Sequence, residues 1–326
     1  MWFGGRARRW SDLPAGHLVD LDGYEVHTLP RPGELLARIA TVNDVHFGER
    51  EAGRIGDSDE FATFSAPAGA EPYPEVMNRG AVHDISEWSP DLVVAKGDLT
   101  ADGTLEQYHR FLQVWSGAFG DRLLHVRGNH ESYHGLHVAD EPTQERVLPG
   151  VHVALLDTSR DGHPNGDLTA GQLDWLDELG ARADRPVLVF GHHPVWNHAE
   201  EVRSDHTFGL LPDATEALHD VFLRRRHLRG YFAGHTHRNK VVRLPDLPGV
   251  PFAEVACVKD YPGSWAEYRV FEGGILQVHR RIATPEAVEW TERTRGMFAG
   301  AYPSYARGRM ADRCFMVWQE ESGLHA

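Results

Sequence analysis

The 326-residue sequence predicts an α/β fold: a four-layer α/β/β/α sandwich of two mixed sheets flanked by helices. Three observations lead there. Between residues 35 and 237 short apolar runs alternate with amphipathic segments of helical spacing, the pattern of strands exchanged with helices. From Lys240 to Arg281 the pattern turns to strands alone, "KVVRL", "FAEVACV", "EYRVFE" and "GILQVHR", separated by Gly and Pro turns. Apolar residues make up 41% of the chain, with 9 Trp and 14 Phe, so a sizeable core can form. The main domain is expected over 35–283, after a β-hairpin extension (1–34) and before a tail (284–326) that packs on it or acts as a lid.

Taken in order, "LVDLDGYEVHTL" (18–29) alternates around Asp22-Gly23, a two-residue hairpin signal. "LLARIATVND" (35–44) reads as a buried strand, and the Gly- and Pro-rich stretch 48–74 as a surface excursion. Helical spacing follows over 75–88, then a short strand over 91–98. In "TLEQYHRFLQVWSGAF" (104–119) Leu105, Tyr108, Phe111, Leu112 and Trp115 recur at helical intervals. Further strands are expected at 123–126, 151–159, 185–194 and 228–237. The intervening helices are 168–183, with Thr169 as N-cap, and 213–227, capped by Asp213. The strands beyond Lys240 are expected to complete the second sheet. After Ala283 come short helical or irregular pieces with Tyr302, Tyr305 and Trp318, which cover the site, mediate a homodimer or pack on the outside.

The formal net charge of −15 argues against a nucleic-acid clamp, because that binding runs on Lys and Arg. It leaves room for an anionic substrate if bound cations reverse the local field. Two cysteines, Cys257 and Cys314, cannot build a disulfide framework or a Cys-rich zinc site. No run approaches the roughly 18 apolar residues of a membrane span, and the basic N-terminus lacks a signal-peptide core behind it. A cytoplasmic protein with no membrane partner is expected.

The informative positions lie where strands end, which is where open α/β sheets collect their chemistry. The exit of 35–42 offers Asp44 and His46; that of 91–95 offers Asp98; that of 123–126 offers Asn129, His130 and Glu131. The exit of 187–190 offers His192 and His193, and that of 229–233 His235 and His237. Each piece alone has an ordinary reading, since Asp-x-His and Gly-Asp are common in solvated turns. Five successive exits of this kind point instead to a metal site. Carboxylate, imidazole and amide oxygen without thiolate suit Mn, Fe, Zn or Co. Two ions about 3.5–4 Å apart need a bridging carboxylate, and together they make a water nucleophilic near neutral pH, as displacement at phosphorus requires.

Asp44-x-His46, Gly97-Asp98, Gly128-Asn129-His130-Glu131, Gly191-His192 and Gly234-His235-x-His237 together resemble the signature of the calcineurin-like metallophosphoesterases. The resemblance runs from about residue 37 to 240. It implies one ion held by Asp44, His46, Asp98 and His237, and a second held by Asp98, Asn129, His192 and His235, with Asp98 as the bridge. By the same resemblance His130 is the catalytic residue that assists the leaving oxygen. Glu131 would orient an imidazole or be a plain surface carboxylate, and His193 would stand behind the ligands.

Departures from the pattern narrow the branch. Ala101 stands where purple acid phosphatases carry a Tyr ligand, and "GDLTADG" lacks the phosphate-gripping Arg of protein Ser/Thr phosphatases. The stretch 166–196, with its Gln-Leu-x-Trp-Leu helix and His-His-Pro turn, is similar to bacterial cyclic-nucleotide and glycerophosphodiester phosphodiesterases. The resemblance implies phosphodiester hydrolysis by a metal-bridging hydroxide on a small phosphate-ester substrate. A phosphomonoesterase, a nuclease of the same superfamily and a non-catalytic scaffold stay open as alternatives. Within 197–212, His198, Arg203 and His206 are candidate contacts for a phosphate or sugar.

Overall fold

A computed structural model describes residues 2–320 apart from 4–5, 8–9, 11–12, 55, 57, 59 and 198. The chain begins with two small antiparallel ribbons, β1 (Trp2–Phe3) with β2 (Arg6–Ala7) and β3 (Leu18–Leu21) with β4 (Tyr24–His27). The second turns at Asp22 and Gly23, whose φ values of 56° and 86° are what a tight two-residue hairpin loop requires. Then come β5 (Leu35–Val42), α1 (Tyr73–Trp88), β6 (Leu92–Lys96), α2 (Leu105–Phe119), β7 (Leu123–Val126) and the short α3 (Asn129–Tyr133). The middle of the chain supplies β8 (Thr143–Leu148), β9 (Val151–Leu156), α4 (Ala170–Arg182), β10 (Val187–Phe190), α5 (Pro212–Arg224) and β11 (Leu228–Ala233). The last third supplies β12 (Lys240–Leu244), β13 (Leu247–Glu254), β14 (Ser264–Phe271), β15 (Gly274–Arg281), α6 (Pro285–Thr294), α7 (Tyr302–Arg307), α8 (Met310–Arg313) and β16 (Cys314–Gln319).

Two six-stranded mixed sheets result, ordered β16-β15-β14-β5-β6-β7 and β12-β13-β11-β10-β9-β8. β5, β6 and β7 run parallel in one sheet; β9, β10, β11 and β13 run parallel in the other. Parallel strands are buried on both faces, which is why they read as unbroken apolar runs. In β6, Leu92 and Val94 enter the core between the sheets, while Val93 and Ala95 face α1, α2 and α6. In β10, Leu188 and Phe190 take the inner side, and Val187 and Val189 face α4 and α5. Helices, sheet, sheet and helices form four layers, as the sequence predicts.

Two details differ. The strand-only stretch does not go to one sheet: β12 and β13 join β11, while β14 pairs antiparallel with β5 and carries β15 with it. Asp213 does not cap α5. Pro212 takes the first helical turn, where its missing N–H costs nothing, so Leu211 becomes the cap and Asp213 sits within that turn. Beyond Ala283, α6 packs on α1 and β16 adds the edge strand of the first sheet. Among the described residues no helix is long and apolar enough to cross a membrane.

Candidate metal centre

The loops that follow β5, β6, β7, β10 and β11 meet at one end of the sandwich. Asp98, leaving β6, is their hub: its Oδ2 lies 3.4 Å from His46 Nε2 and 3.9 Å from His130 Nε2, and its Oδ1 lies 3.3 Å from His192 Nε2. Asp44 Oδ1 lies 3.3 Å from His237 Nε2. Asn129 Oδ1 is 3.0 Å from His192 Nε2. His235 completes the group, its ring 5.1 Å from that of His192 and its backbone N–H donating to Asp44 Oδ2 at 3.0 Å. All eight side chains expected at the site are therefore together.

Backbone geometry shows how the sequence achieves this. Asp44, His46, Asp98, His235 and His237 all adopt left-handed φ, between 45° and 67°. Non-glycine residues there are uncommon and cost about 1–3 kcal/mol each, and such residues cluster at functional sites. The glycines beside them admit close approach. At Gly97, φ 86°, a Cβ would stand 2.6 Å from His192 Nδ1, and at Gly128 it would stand 2.2 Å from Asp98 Oδ1.

Two of the imidazoles are aimed by their far nitrogen. His192 Nδ1 donates to Lys96 O at 2.7 Å and His130 Nδ1 to Ala101 O at 2.6 Å, leaving both Nε2 atoms for the site. Asp44 Oδ1, both ring nitrogens of His46 and His235 Nε2 are buried without a hydrogen-bond partner. Polar atoms so placed need a partner. Their lone pairs, close to one another yet unbonded, are what a cation would satisfy, and the N/O donor set fits Mn, Fe, Zn or Co. Burial takes His46 down to about 4 and His235 down to about 3, so both are neutral and able to donate a lone pair at pH 7. Burial would lower His192 too, but the Asp98 carboxylate pushes it up to about 9. Against its burial, His192 and His130 hold the Asp98 carboxyl well below the usual carboxylate range.

Glu131 is neither a surface carboxylate nor an imidazole partner. It is fully buried; Oε1 accepts from Thr100 N and Oγ1, both at 2.6 Å, and Oε2 from Gly128 N at 2.7 Å. It ties the exit of β6 to that of β7. His193 is also buried, 2.9 Å from Thr158 Oγ1, and the Thr158 hydroxyl accepts from the His192 and His193 N–H groups. Of the candidate contacts in 197–212, His198 lies outside the described residues. Arg203 turns to Asp213 and Glu216, and His206 is exposed; neither lines the site.

A cavity of about 670 Å³ opens over Asp98, Asn129, His130, His235 and His237. Part of the rest of its wall is apolar: Phe208, Met297, Phe298 and Tyr302, with Phe208 stacked on His235 at 4.1 Å between ring centroids. Strand-exit reasoning missed Phe208, Met297 and Phe298, which lie in a loop and in the C-terminal segment; Tyr302 belongs to the tail for which covering the site was one expectation. Asn43 was missed too: it bonds Asp44 and Val255 O, but its only signal was its place next to Asp44.

A family model described as calcineurin-like phosphoesterase matches residues 37–239, more than half of the chain. The chain belongs to this family. Among its relatives is a cAMP/cGMP dual specificity phosphodiesterase of Mycobacterium tuberculosis, 26% identical over 246 residues, 70% of this chain and 69% of that one. The 3',5'-cyclic adenosine monophosphate phosphodiesterase CpdA of Escherichia coli is 27% identical over 65% of this chain and 73% of its own. A dimetal phosphatase from Danio rerio has a similar fold, with a TM-score of 0.58 at 18% identity, covering 77% of this chain and 98% of its own. The protein is a metal-dependent phosphoric ester hydrolase.

Proposed function

We propose that the protein hydrolyses small phosphodiesters, of cyclic-nucleotide or glycerophosphodiester type, at a centre for two ions. Asp44, His46, Asp98 and His237 would hold one, and Asp98, Asn129, His192 and His235 the other. The observation that carries this is the Asp98 carboxylate, with one oxygen 3.4 Å from His46 and the other 3.3 Å from His192. When bound, the ions supply Lewis acidity at the phosphoryl oxygens and lower the pKa of water.

The chain's own groups do the rest. Asp44 and Asp98 bring negative charge that balances the cations, and the neutral His46 and His235 add donors without adding charge. His130 differs from the ligands: its side chain is 34% exposed and lines the cavity, and its Nδ1 is fixed by Ala101 O. It is placed to give a proton from Nε2 to the departing oxygen. The cavity supports a diester over a monoester. Among the described residues its cations, Lys259 and Arg54, are paired with Glu49 (2.6 Å) and Glu51 (2.7 Å), which offsets positive charge that the second charge of a monoester would use. The wall of Phe208, Met297, Phe298 and Tyr302 offers room for the second organic substituent. The names of the relatives favour the same chemistry.

Manganese-loaded protein assayed on bis-(p-nitrophenyl) phosphate and on p-nitrophenyl phosphate tests the reading. Preference for the diester is expected; preference for the monoester overturns the diesterase assignment, and turnover of neither favours a scaffold. His130→Ala should keep its metal and lose activity about 10²–10⁴-fold, whereas Asp98→Ala should lose metal. Equal metal loss in both, measured by elemental analysis, would show these roles to be misassigned.

A further inference from the structure

His235 and His237 both stand at positive φ, 67° and 56°, with only Thr236 between them. A loop so strained persists only where its surroundings over-determine it. From the core side, Gly234 N donates to His192 O at 2.9 Å and His235 N to Asp44 Oδ2 at 3.0 Å. The opposite side is held by the C-terminal segment. Tyr305 Oη, on α7, donates to Thr236 O at 2.9 Å. The Arg238 guanidinium lies 5.4 Å from the Tyr305 ring centroid and bonds Glu254 at 2.7 and 3.1 Å. Glu254 in turn accepts from Thr236 Oγ1. Asn239 donates to Ala306 O from its backbone N (3.0 Å) and its Nδ2 (3.1 Å). Contact there is so close that a Cβ on Gly308 would stand 2.0 Å from Asn239 O. Thr236, Arg238 and Asn239 are thus tied down, while His237 reaches into the site beside His235.

We propose that Tyr305 is a positioning residue for the metal centre. Its hydroxyl fixes the peptide between the two histidines, so that their imidazoles converge before an ion arrives. Helix α7 lies outside the 37–239 matched by the family model, so this support comes from the chain's own C-terminal segment. The proposal rests on the reading that His235 and His237 hold metal.

Tyr305→Phe separates the hydroxyl from the ring, which stays over Arg238. The loss of one hydrogen bond to a strained loop should weaken manganese binding to metal-free protein about three- to tenfold by calorimetry. The visible bands of the cobalt-loaded protein should change in position or intensity. Tyr305→Leu, which also removes the ring, should weaken binding further. Wild-type affinity and an unaltered cobalt spectrum in Tyr305→Phe would overturn the proposal. So would an affinity loss matched by a fall in metal-free stability with the spectrum unchanged, because that marks a merely structural residue. If the wild-type protein binds no manganese or cobalt at all, the metal reading fails first.

Discussion

Glu131 follows His130 in the chain, yet its carboxylate turns away from the site and takes three hydrogen bonds from Thr100 and Gly128. Burial, then the nearby Asp98, push its pKa up, and the three donors oppose that shift. A glutamine has one acceptor oxygen and would turn its NH₂ toward a donor, leaving a buried N–H unsatisfied. Glu131→Gln should therefore cost about 1–3 kcal/mol in urea unfolding of the metal-free protein. A change below about 0.5 kcal/mol would mean that the carboxylate is not what joins the two loops. The sequence marks the position but not the role, because a carboxylate's direction depends on which donors the fold brings to it.

Helix α4 carries the Gln-Leu-x-Trp-Leu run, and the structure gives a task to Gln172, Leu173, Trp175 and Leu176, while Asp174 is exposed. Thr169 and Gln172 cap reciprocally, Gln172 N to Thr169 Oγ1 at 3.3 Å and Thr169 N to Gln172 Oε1 at 2.9 Å. Gln172 Nε2 also donates to Asp157 O and Pro142 O, tying the helix start to the end of β9, while Leu173, Trp175 and Leu176 pack on the second sheet. Thr169→Ala should lose about 1 kcal/mol of stability and leave turnover with saturating manganese unchanged; an unaltered denaturation curve would show the cap to be dispensable. Elements of this kind were legible in the sequence, since the Thr169 cap and the apolar runs of β6, β9, β10 and β11 are local signals. The partition of 240–281 between two sheets was not. β14 chooses β5 as its partner more than two hundred positions away, and nothing in "EYRVFE" distinguishes it from a strand of the other sheet. β16 was missed for a similar reason: "CFMVWQ" is a short edge strand in a polar neighbourhood. Of the candidate site, the side chains that gather there could be named because a strand exit is a local event, whereas Tyr305 reaches Thr236 only through the complete fold.

Over the whole molecule the balance of charge, −15, sets a background of mutual repulsion near neutral pH that eases as carboxylates gain protons. Half-buried histidines work the other way. His125 lies in the packing between α2 and β7, its ring 5.3 Å from that of Phe111 and its Nε2 accepting from Tyr108 Oη at 2.9 Å. Burial takes it down to about 4 from an ordinary 6.5. His279, half-buried near Arg313, falls to about 3 for the same first reason, with the nearby guanidiniums adding to it. Below pH 6.5 the unfolded chain gains these protons while the folded chain refuses them. The stability they contribute is thus full above 6.5 and is lost as pH falls toward 4. One such group is worth at most about 1.4 kcal/mol per pH unit in that window. His125→Gln keeps an acceptor for Tyr108 and removes the titration, so urea unfolding of metal-free protein at pH 7, 5.5 and 4.5 should show a shallower decline than wild type, by up to one proton's slope. Parallel curves for the two proteins would mean that His125 takes up its proton in the folded state as readily as in the unfolded one, and that its packing between Tyr108 and Phe111 does not keep it neutral.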